Sequence, residues 1–370
     1  YTTFNMSSWN AIYPLAGGNV GGVAGIQSAA FGNPEARWES TETINVGVQS
    51  TIFDVLDVNI DVWEKNTSDM LYPATIPAVM GDADIPSVNI AEMKNRGFDL
   101  ELGVTTPDDN QGEFTYDISL NISHYKNEVK KLTGAAGEKI WSSELRHMRY
   151  ARAEAGTEFP EFYGYVVDGI FQSEQEAENH PNAFGETGTY NQEGRFKYKD
   201  VNGDNVIDED DRTYIGSPHP DFTAGLNIRL RYGNFDFTSL LYSSYGNDIV
   251  NYARRFLDFH MFQGGRSERT LYESYGSPYL EDNSNAKMPV YEPEDSKSQR
   301  PSTYFVEDGS YLRMNNLELG YTLPDNLTNR LDMNRVRIYA RATNLFTITG
   351  YSGLDPEIYT EGINLGQDRG

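Results

Sequence analysis

Apolar and polar side chains alternate with a period of two along much of the chain, which is the pattern of β-strands whose two faces meet different surroundings. From 222 to 232 the even positions are apolar or aromatic, and the odd positions are Thr, Gly, Asn and Arg. The segment 235–245 fits less well, because Leu240 and Tyr242 lie on the opposite face. The alternation predicts eight strands, at 43–52, 55–67, 97–105, 114–122, 222–232, 235–245, 311–322 and 335–346.

The connections between the predicted strands are alternately short and long. The dipeptide Gly233-Asn234 predicts a tight hairpin turn, whereas long connections are expected at 68–96, 124–221 and 246–310. This rhythm is typical of outer-membrane β-barrels, which have short turns at one end and long loops at the other. A soluble β-sandwich also alternates apolar and polar positions, but it rarely places all of its long loops at one end.

Aromatic residues mark the ends of many predicted strands, as they do in the girdles where a barrel meets the two membrane surfaces. They are Phe53, Trp63, Tyr125, Phe222, Tyr232, Phe235, Tyr245, Tyr321 and Phe346. We therefore predict an all-β fold, an antiparallel transmembrane β-barrel in which 124–221 and 246–310 are long extracellular loop regions.

A barrel gives each strand face its own environment. Even positions such as Leu226 and Ile228 are expected to face lipid, where an Arg or Lys costs about 2–4 kcal/mol at the membrane midplane. Charged residues at odd positions are expected to face a wet lumen: Asp99, Glu101, Asp117, Arg229 and Arg231. The two longest loops are too large for an eight-stranded barrel, so we expect further strands outside this chain.

The composition excludes several other classes of protein. The 370 residues carry 55 Asp and Glu against 30 Lys and Arg, a net charge of −25 that argues against a nucleic-acid partner. There is no cysteine for a disulfide or a thiolate metal site, and 25 Tyr and 18 Phe are too many for a disordered acidic chain. No apolar run is long enough for a transmembrane helix. The first ten residues do not resemble a secretory signal, so we expect a mature, internal or cleaved piece.

The segment 200–211, DVNGDNVIDEDD, follows the spacing of an EF-hand-type calcium loop. Its positions 1, 3, 5, 7, 9 and 12 are Asp200, Asn202, Asp204, the Val206 carbonyl, Asp208 and Asp211. Position 6 is Asn205 rather than Gly, although Asn tolerates the left-handed conformation. Asp211 has a shorter side chain than the usual Glu. We predict a structural Ca²⁺ site here; the alternative is a solvated turn of Asp and Asn residues.

Catalytic motifs are absent from the sequence, so an enzyme is not expected. The five histidines show no ligand spacing, and no nucleophile, phosphate-binding or zinc-protease signature is present. Aromatic faces at Trp141, Tyr163 and Tyr165 could stack on sugar rings or peptide side chains, or else pack on one another. No substrate-binding residue is assigned from the sequence.

Six segments carry a resemblance to a known family. They are FGNPEARWESTETINVGVQ (31–49), NIAEMKNRGFDLEL (89–102), FYGYVVDGIFQS (162–173), YKDVNGDNVIDEDDRTYIGSPHPDFTAGLN (198–227), YLRMNNLELGYTLP (311–324) and RVRIYARATNLFTITGYSGLDPEI (335–358). In these the chain resembles the C-terminal part of SusC/RagA-type TonB-dependent outer-membrane transporters of the Bacteroidetes.

The resemblance implies a large plugged barrel of about 22 strands in the bacterial outer membrane. It implies active import of an oligosaccharide or oligopeptide with a SusD-like surface lipoprotein as a lid, driven by the TonB complex through a plug segment. A dimer of transporter–lipoprotein units is also implied. Residues 1–370 would be the C-terminal portion of such a barrel, with the plug domain, the first barrel strands and the last strand absent from this chain.

Two other functions remain open at this point. A passive porin-like channel would share the barrel but have no plug. A secreted, calcium-dependent, glycan-binding β-protein would need no membrane at all.

Overall fold

The computed structural model describes residues 15–20, 23–26, 33–73, 87–107, 114–132, 139–185, 190–259, 267–293 and 295–369. The described strands are β1 Leu15–Val20, β2 Val23–Ile26, β3 Ser40–Ile52, β4 Leu56–Pro73, β5 Ser87–Thr105, β6 Phe114–Leu132, β7 Lys139–Trp141, β8 Ala151–Glu154, β9 Glu161–Gly164, β10 Val167–Ile170, β11 Asn182–Ala183, β12 Phe196–Tyr198, β13 Val206–Ile207, β14 Thr213–Gly216, β15 Phe222–Tyr232, β16 Phe235–Tyr245, β17 Asp248–Asn251, β18 Val306–Asp308, β19 Tyr311–Thr322, β20 Arg337–Thr343, β21 Thr347–Thr349 and β22 Gln367–Asp368.

The helices within the described residues are few and short. The α-helices are α1 Glu174–Asn179, α2 Arg254–Leu257, α3 Arg269–Glu273 and α4 Asp325–Thr328. Single 3₁₀ turns lie at Glu209–Asp211, Asn283–Asn285, Thr303–Phe305, Asn329–Leu331 and Gly362–Asn364. None of the helices in the described ranges is long and apolar enough to cross a membrane.

All eight strands predicted from the alternation form one antiparallel sheet. Its order is β3-β4-β5-β6-β15-β16-β19-β20, so neighbours in the sequence are neighbours in the sheet, and β21 continues the pairing along β19. Within the described residues the sheet is open, with β3 at one edge and β20 at the other. The prediction of an all-β, antiparallel fold is therefore confirmed.

Four strands are longer than the alternation indicated: β3 by three residues at its start, and β4, β5 and β6 by more. β4 continues to Pro73 and β5 begins at Ser87, so the long connection predicted at 68–96 is wrong. β6 continues to Leu132, and register shifts interrupt the β4–β5 and β5–β6 pairs in these extensions. The backbone ladder continues there although strict alternation stops, because pairing needs only backbone groups while alternation needs two different environments.

The register gathers the apolar positions on one face of the sheet. Leu226 lies opposite Leu120 on one side and Leu241 on the other, and Ile228 lies opposite Ile118. Many other side chains of this face are exposed: Val46 is 68% exposed and Ile338 is 65% exposed. We call this the apolar face. So large an apolar surface would not stay in water.

The opposite face is polar, and its side chains bind one another. Asp99 accepts hydrogen bonds from Trp63 Nε1 at 2.8 Å and from Ser123 Oγ at 2.6 Å. Arg229 forms an ion pair with Asp117 at 3.3 Å. We call this the polar face. Its charged residues thus share one side of the sheet, as the odd positions predicted.

The two long segments between β6 and β15 and between β16 and β19 fold together at one end of the sheet. We call them the loop body. Its core is largely aromatic and includes Tyr150, Phe162, Tyr165, Tyr190, Phe196, Tyr198, Tyr304 and Phe305. A second apolar cluster contains Ile90 and Val129 of the strand extensions together with Ile140 and Ala153 of the loop body. This second cluster anchors the loop body on the extended strands.

Candidate functional site: a cleft in the loop body

A cleft of about 400 Å³ opens in the loop body beside the four-stranded sheet β14-β9-β8-β7. It is lined by Trp141, Glu144, His147, Met148, Arg149, Tyr165, Glu209, Arg212, Arg300 and Pro301. These residues come from four separate stretches of sequence. The fold brings them together because both long segments share the aromatic core that contains Tyr165.

A tight two-residue turn forms one lip of the cleft. The Leu145 N–H donates to the Met148 carbonyl at 2.8 Å, and the Met148 N–H donates back at 3.1 Å. Between them Arg146 and His147 have φ of 48° and 66°, values that usually require Gly or Asn. The turn therefore holds backbone strain of the order of 1–3 kcal/mol per residue, and it leaves the His147 side chain 98% exposed.

Arginine and aromatic side chains stack beneath the cleft. The Arg152 guanidinium lies 3.5 Å from the Tyr163 ring centroid, and the Arg212 guanidinium lies 5.1 Å from the same ring. Arg212 also lies 5.2 Å from the Trp141 ring, which meets Tyr163 edge to face at 5.5 Å. Such cation–π contacts are worth about 2 kcal/mol when desolvated.

This packing decides between the two interpretations of the three aromatic residues. Tyr163 is only 8% exposed and Tyr165 only 2%, so both rings pack on their neighbours instead of offering a face to a ligand. Trp141 is half-buried and lines the cleft. A ring available for stacking is thus found at Trp141 alone of the three.

The charged groups of the cleft form a connected network. Arg212 Nη1 donates to Glu209 Oε2 at 2.9 Å, and Arg300 Nη1 donates to Tyr165 Oη at 3.0 Å and to Glu209 Oε1 at 3.4 Å. Arg149 pairs with Glu144 at 2.9 Å. Three guanidinium groups face two carboxylates, so the lining is cationic in an acidic chain.

Burial and pairing set the protonation of this network. Burial raises the pKa of Tyr165 to about 12, so its hydroxyl stays neutral at physiological pH. Burial also acts to raise the pKa of Glu209, but the hydrogen bond and charge of Arg212 outweigh it and the pKa is lowered. The Arg212 Nε is buried without a hydrogen-bond partner within the described residues. The cleft therefore suits a hydrogen-bond-accepting or anionic group held beside the Trp141 ring.

The acidic loop 200–211 adjoins the cleft through Glu209. Asp200 accepts hydrogen bonds from the Gly203 N–H at 2.6 Å and the Asn205 N–H at 2.9 Å. Asn205 has a φ of 65°, so it adopts the left-handed conformation that the motif needs at this position. Burial acts to raise the pKa of Asp200, but the bonds from the Asn205 and Gly203 N–H groups lower it overall.

A buried carboxylate stabilises the C-terminal end of the same loop. The Asp211 side chain is fully buried and accepts hydrogen bonds from the Val201 and Asp208 N–H groups, each at 2.8 Å. Asp208 caps the 3₁₀ turn Glu209–Asp211. The structure thus places the six predicted ligands in one tight loop.

The carboxylates of this loop bind their own backbone. In the described ranges, no three His, Asp or Glu side chains converge as they do around a bound ion. The hard oxygen donors and the left-handed Asn205 fit Ca²⁺ chemistry. The calcium site therefore stays a prediction.

Sequence reasoning did not assign Arg152, Arg212 and Arg300. They are far apart in the sequence and follow no motif. The only local signal was an aromatic-rich loop that also contains arginine.

Comparisons with known proteins give the family. Residues 2–345 match the family model described as TonB dependent receptor-like, beta-barrel. The chain is 28% identical over 357 residues to TonB-dependent receptor P3 of Formosa agariphila, covering 95% of this chain and 34% of that protein. It is 27% identical over 343 residues to TonB-dependent receptor SusC of Bacteroides thetaiotaomicron, covering 88% of this chain and 30% of that protein. The chain thus spans about a third of the length of these curated relatives.

The solved structures agree on the fold. The chain superposes on the structure of the RagAB peptide transporter with a TM-score of 0.76 and 23% identity, over 95% of this chain and 36% of that one. The family comprises transporters and receptors rather than enzymes. The chain belongs to the TonB-dependent receptor-like β-barrel family, as its resemblance to SusC/RagA-type transporters indicated.

Proposed function

We propose that this chain is part of the barrel of a TonB-dependent transporter that imports an oligomeric nutrient across the bacterial outer membrane. The observation that carries the proposal is the two-faced sheet: eight consecutive antiparallel strands have one uncovered apolar face and one polar face whose side chains bind each other. Lipid is the solvent that suits the first face, and a wet lumen suits the second. The family membership supports the same assignment.

The loop body is the extracellular end of this transporter in our proposal. It lies at the end of the sheet opposite the tight Gly233-Asn234 turn, which is where long barrel loops are found. A SusD-like lipoprotein would close over it, and the TonB complex would act through a plug segment outside this chain. The likeness to the RagAB peptide transporter and to SusC supports these partners. We also propose the implied dimer of transporter–lipoprotein units.

The cargo is an oligopeptide or an oligosaccharide that meets the cleft. Trp141 offers a ring face, and Arg149, Arg212 and Arg300 offer guanidinium donors. Peptide carboxylates and acidic or hydroxyl groups of sugars all accept hydrogen bonds from such donors. The cleft thus provides first contact with cargo before the barrel takes it up.

Uptake by whole cells tests the proposal. Cells that express the intact transporter should accumulate fluorescent peptides or fluorescent oligosaccharides, and dissipating the proton-motive force should stop this. The double variant Trp141→Ala with Arg212→Gln should reduce uptake about tenfold. The control Arg269→Gln removes one charge from α3, outside the cleft, and should import normally.

Different results would favour the other functions. Uptake that persists without the proton-motive force, together with steady conductance in planar bilayers, would indicate a porin-like channel. A monodisperse protein that needs no detergent and binds a glycan array in a calcium-dependent manner would indicate a secreted lectin.

The acidic loop is proposed to bind one structural Ca²⁺ through Asp200, Asn202, Asp204, the Val206 carbonyl, Asp208 and Asp211. The spacing of the six donors and the left-handed Asn205 support this. The ion would fix the loop that carries Glu209 into the cleft, and it would take no part in transport chemistry.

A further inference from the structure

A second groove lies on the apolar face of the main sheet, outside the loop body. It crosses β3 to β6 near the strand extensions and encloses about 840 Å³. Its apolar part is formed by Ile44, Val46, Ile60, Val62 and Phe98, and Glu64, Arg96 and Lys126 lie at its end nearer the loop body. This groove therefore joins an apolar floor to a cationic end.

The strand register places the two cations side by side. Arg96 lies directly opposite Lys126. The next pair on the same face, farther from the loop body, is Phe98 with His124. On the other side, Phe98 lies opposite Val62. Like charges directly opposite one another destabilise an antiparallel pair. Glu64 lies opposite Arg96 on its other side and offsets part of this repulsion. The two cations thus lie where the apolar face ends.

The neighbouring carboxylates are already engaged with other cations. Glu64 pairs with Lys94 at 2.7 Å, and Glu128 pairs with Lys130 at 2.6 Å. Within the described residues, neither Arg96 nor Lys126 has a carboxylate within ion-pair distance, and both side chains are exposed. Glu64 lies directly opposite Arg96 on β4. Four cations (Lys94, Arg96, Lys126 and Lys130) nevertheless share the two carboxylates of Glu64 and Glu128, which leaves a local excess of positive charge in a chain of net charge −25.

We propose that this groove binds a phosphorylated membrane lipid. An acyl chain would lie over Val46, Val62 and Phe98, and the phosphate would bridge Arg96 and Lys126 at the membrane surface. A phosphate would convert the like-charged pair into two charge-assisted contacts, whereas a free phosphate ion would leave the apolar part empty. The inference rests on the proposed function, because it requires the apolar face to lie in the membrane.

Native mass spectrometry of the detergent-purified intact transporter tests this site. The probe is bisphosphorylated lipid A, compared with the same lipid after enzymatic removal of its phosphates. The wild type should retain the phosphorylated lipid, and the double variant Arg96→Gln with Lys126→Gln should retain it about tenfold less. Inorganic phosphate at millimolar concentration should not displace it.

A matched control removes the same charge from the polar face. The double variant Lys65→Gln with Arg231→Gln should bind lipid A as the wild type does. Equal retention of both lipid forms by the wild type, equal retention by the wild type and the Arg96/Lys126 variant, or displacement by inorganic phosphate would overturn the lipid site. Energy-dependent uptake is measured in the same cells. Normal uptake without selective lipid retention would overturn the lipid site alone, whereas absence of energy-dependent uptake would overturn the proposed transporter.

Discussion

At the residue scale, Arg152 joins several of the side chains that pack beneath the cleft. Its guanidinium stacks on Tyr163, donates to Glu154 at 2.9 Å and lies 3.4 Å from the Tyr214 hydroxyl. The side chain is only 8% exposed, so these contacts replace the water that it loses. A planar guanidinium can lie flat on a ring while it donates hydrogen bonds in its own plane, whereas an ammonium group has no flat surface to stack.

The variant Arg152→Lys should therefore unfold at a lower temperature. It keeps the charge but loses the flat stacking surface, and we expect a loss of about 1–3 kcal/mol. Thermal unfolding of the detergent-purified protein measures this. Arg149→Lys is the control, because its exposed ion pair with Glu144 contributes little. Equal melting temperatures for the two variants would show that the stack does not stabilise the loop body.

Tyr165 gives the cleft a predictable response to alkaline pH. Its pKa is raised by burial to about 12, above the value near 10 of the unfolded chain. The folded state favours the neutral hydroxyl. Its contribution to the free energy of unfolding is therefore fully present below pH 10 and is lost as the pH rises from about 10 to 12. Stability should fall across that window, and Tyr165→Phe should make the fall shallower. Denaturant unfolding at pH 8 to 11.5 measures both, and identical pH profiles would contradict the assignment.

At the scale of elements, the turn at Arg146 and His147 holds strain without an apparent packing need at His147. The His147 side chain is 98% exposed and its backbone φ is 66°. The variant His147→Gly should stabilise the protein by about 0.5–1 kcal/mol, because Gly adopts this conformation without a steric penalty. His147→Ala removes the same side chain and keeps the strain, so it should not stabilise. Thermal unfolding of the two variants measures this. Equal melting temperatures for His147→Gly and His147→Ala would contradict the strain at His147.

The acidic loop 200–211 should respond to calcium as a unit. The variant Asp200→Ala with Asp204→Ala should lower the melting temperature more with calcium than without it. It removes two ligands of the ion as well as the hydrogen bonds that these carboxylates accept from the loop backbone. Asp168→Ala removes an acid outside the loop and should leave the calcium response unchanged. An equal gain in melting temperature from calcium in the double variant and the wild type would contradict the predicted calcium site.

The sheet and the cleft differ in how far sequence could predict them. All eight main strands are predicted by the alternation, because a strand between two different environments has apolar and polar residues at alternate positions. The extensions to Pro73 and Leu132 were missed since both faces there are mixed. The cleft was not predictable, because Arg212 and Arg300 meet Trp141 only through tertiary packing of two long segments.

At the scale of the whole molecule, the central claim is that the apolar face lies in lipid and the polar face in water. Adjacent residues of β15 test it directly, because Leu226 and Ile228 belong to the apolar face and Asn227 and Arg229 to the polar face. The chain contains no cysteine, so single cysteines can be introduced one position apart. The prediction is a labelling pattern with a period of two.

The measurement is labelling of these four single-cysteine variants with a membrane-impermeant maleimide in isolated outer membranes. We expect rapid labelling of Asn227→Cys and Arg229→Cys, and protection of Leu226→Cys and Ile228→Cys until detergent and denaturant are added. Equal labelling at all four positions in intact membranes would contradict the account, because it would place both faces of the sheet in water.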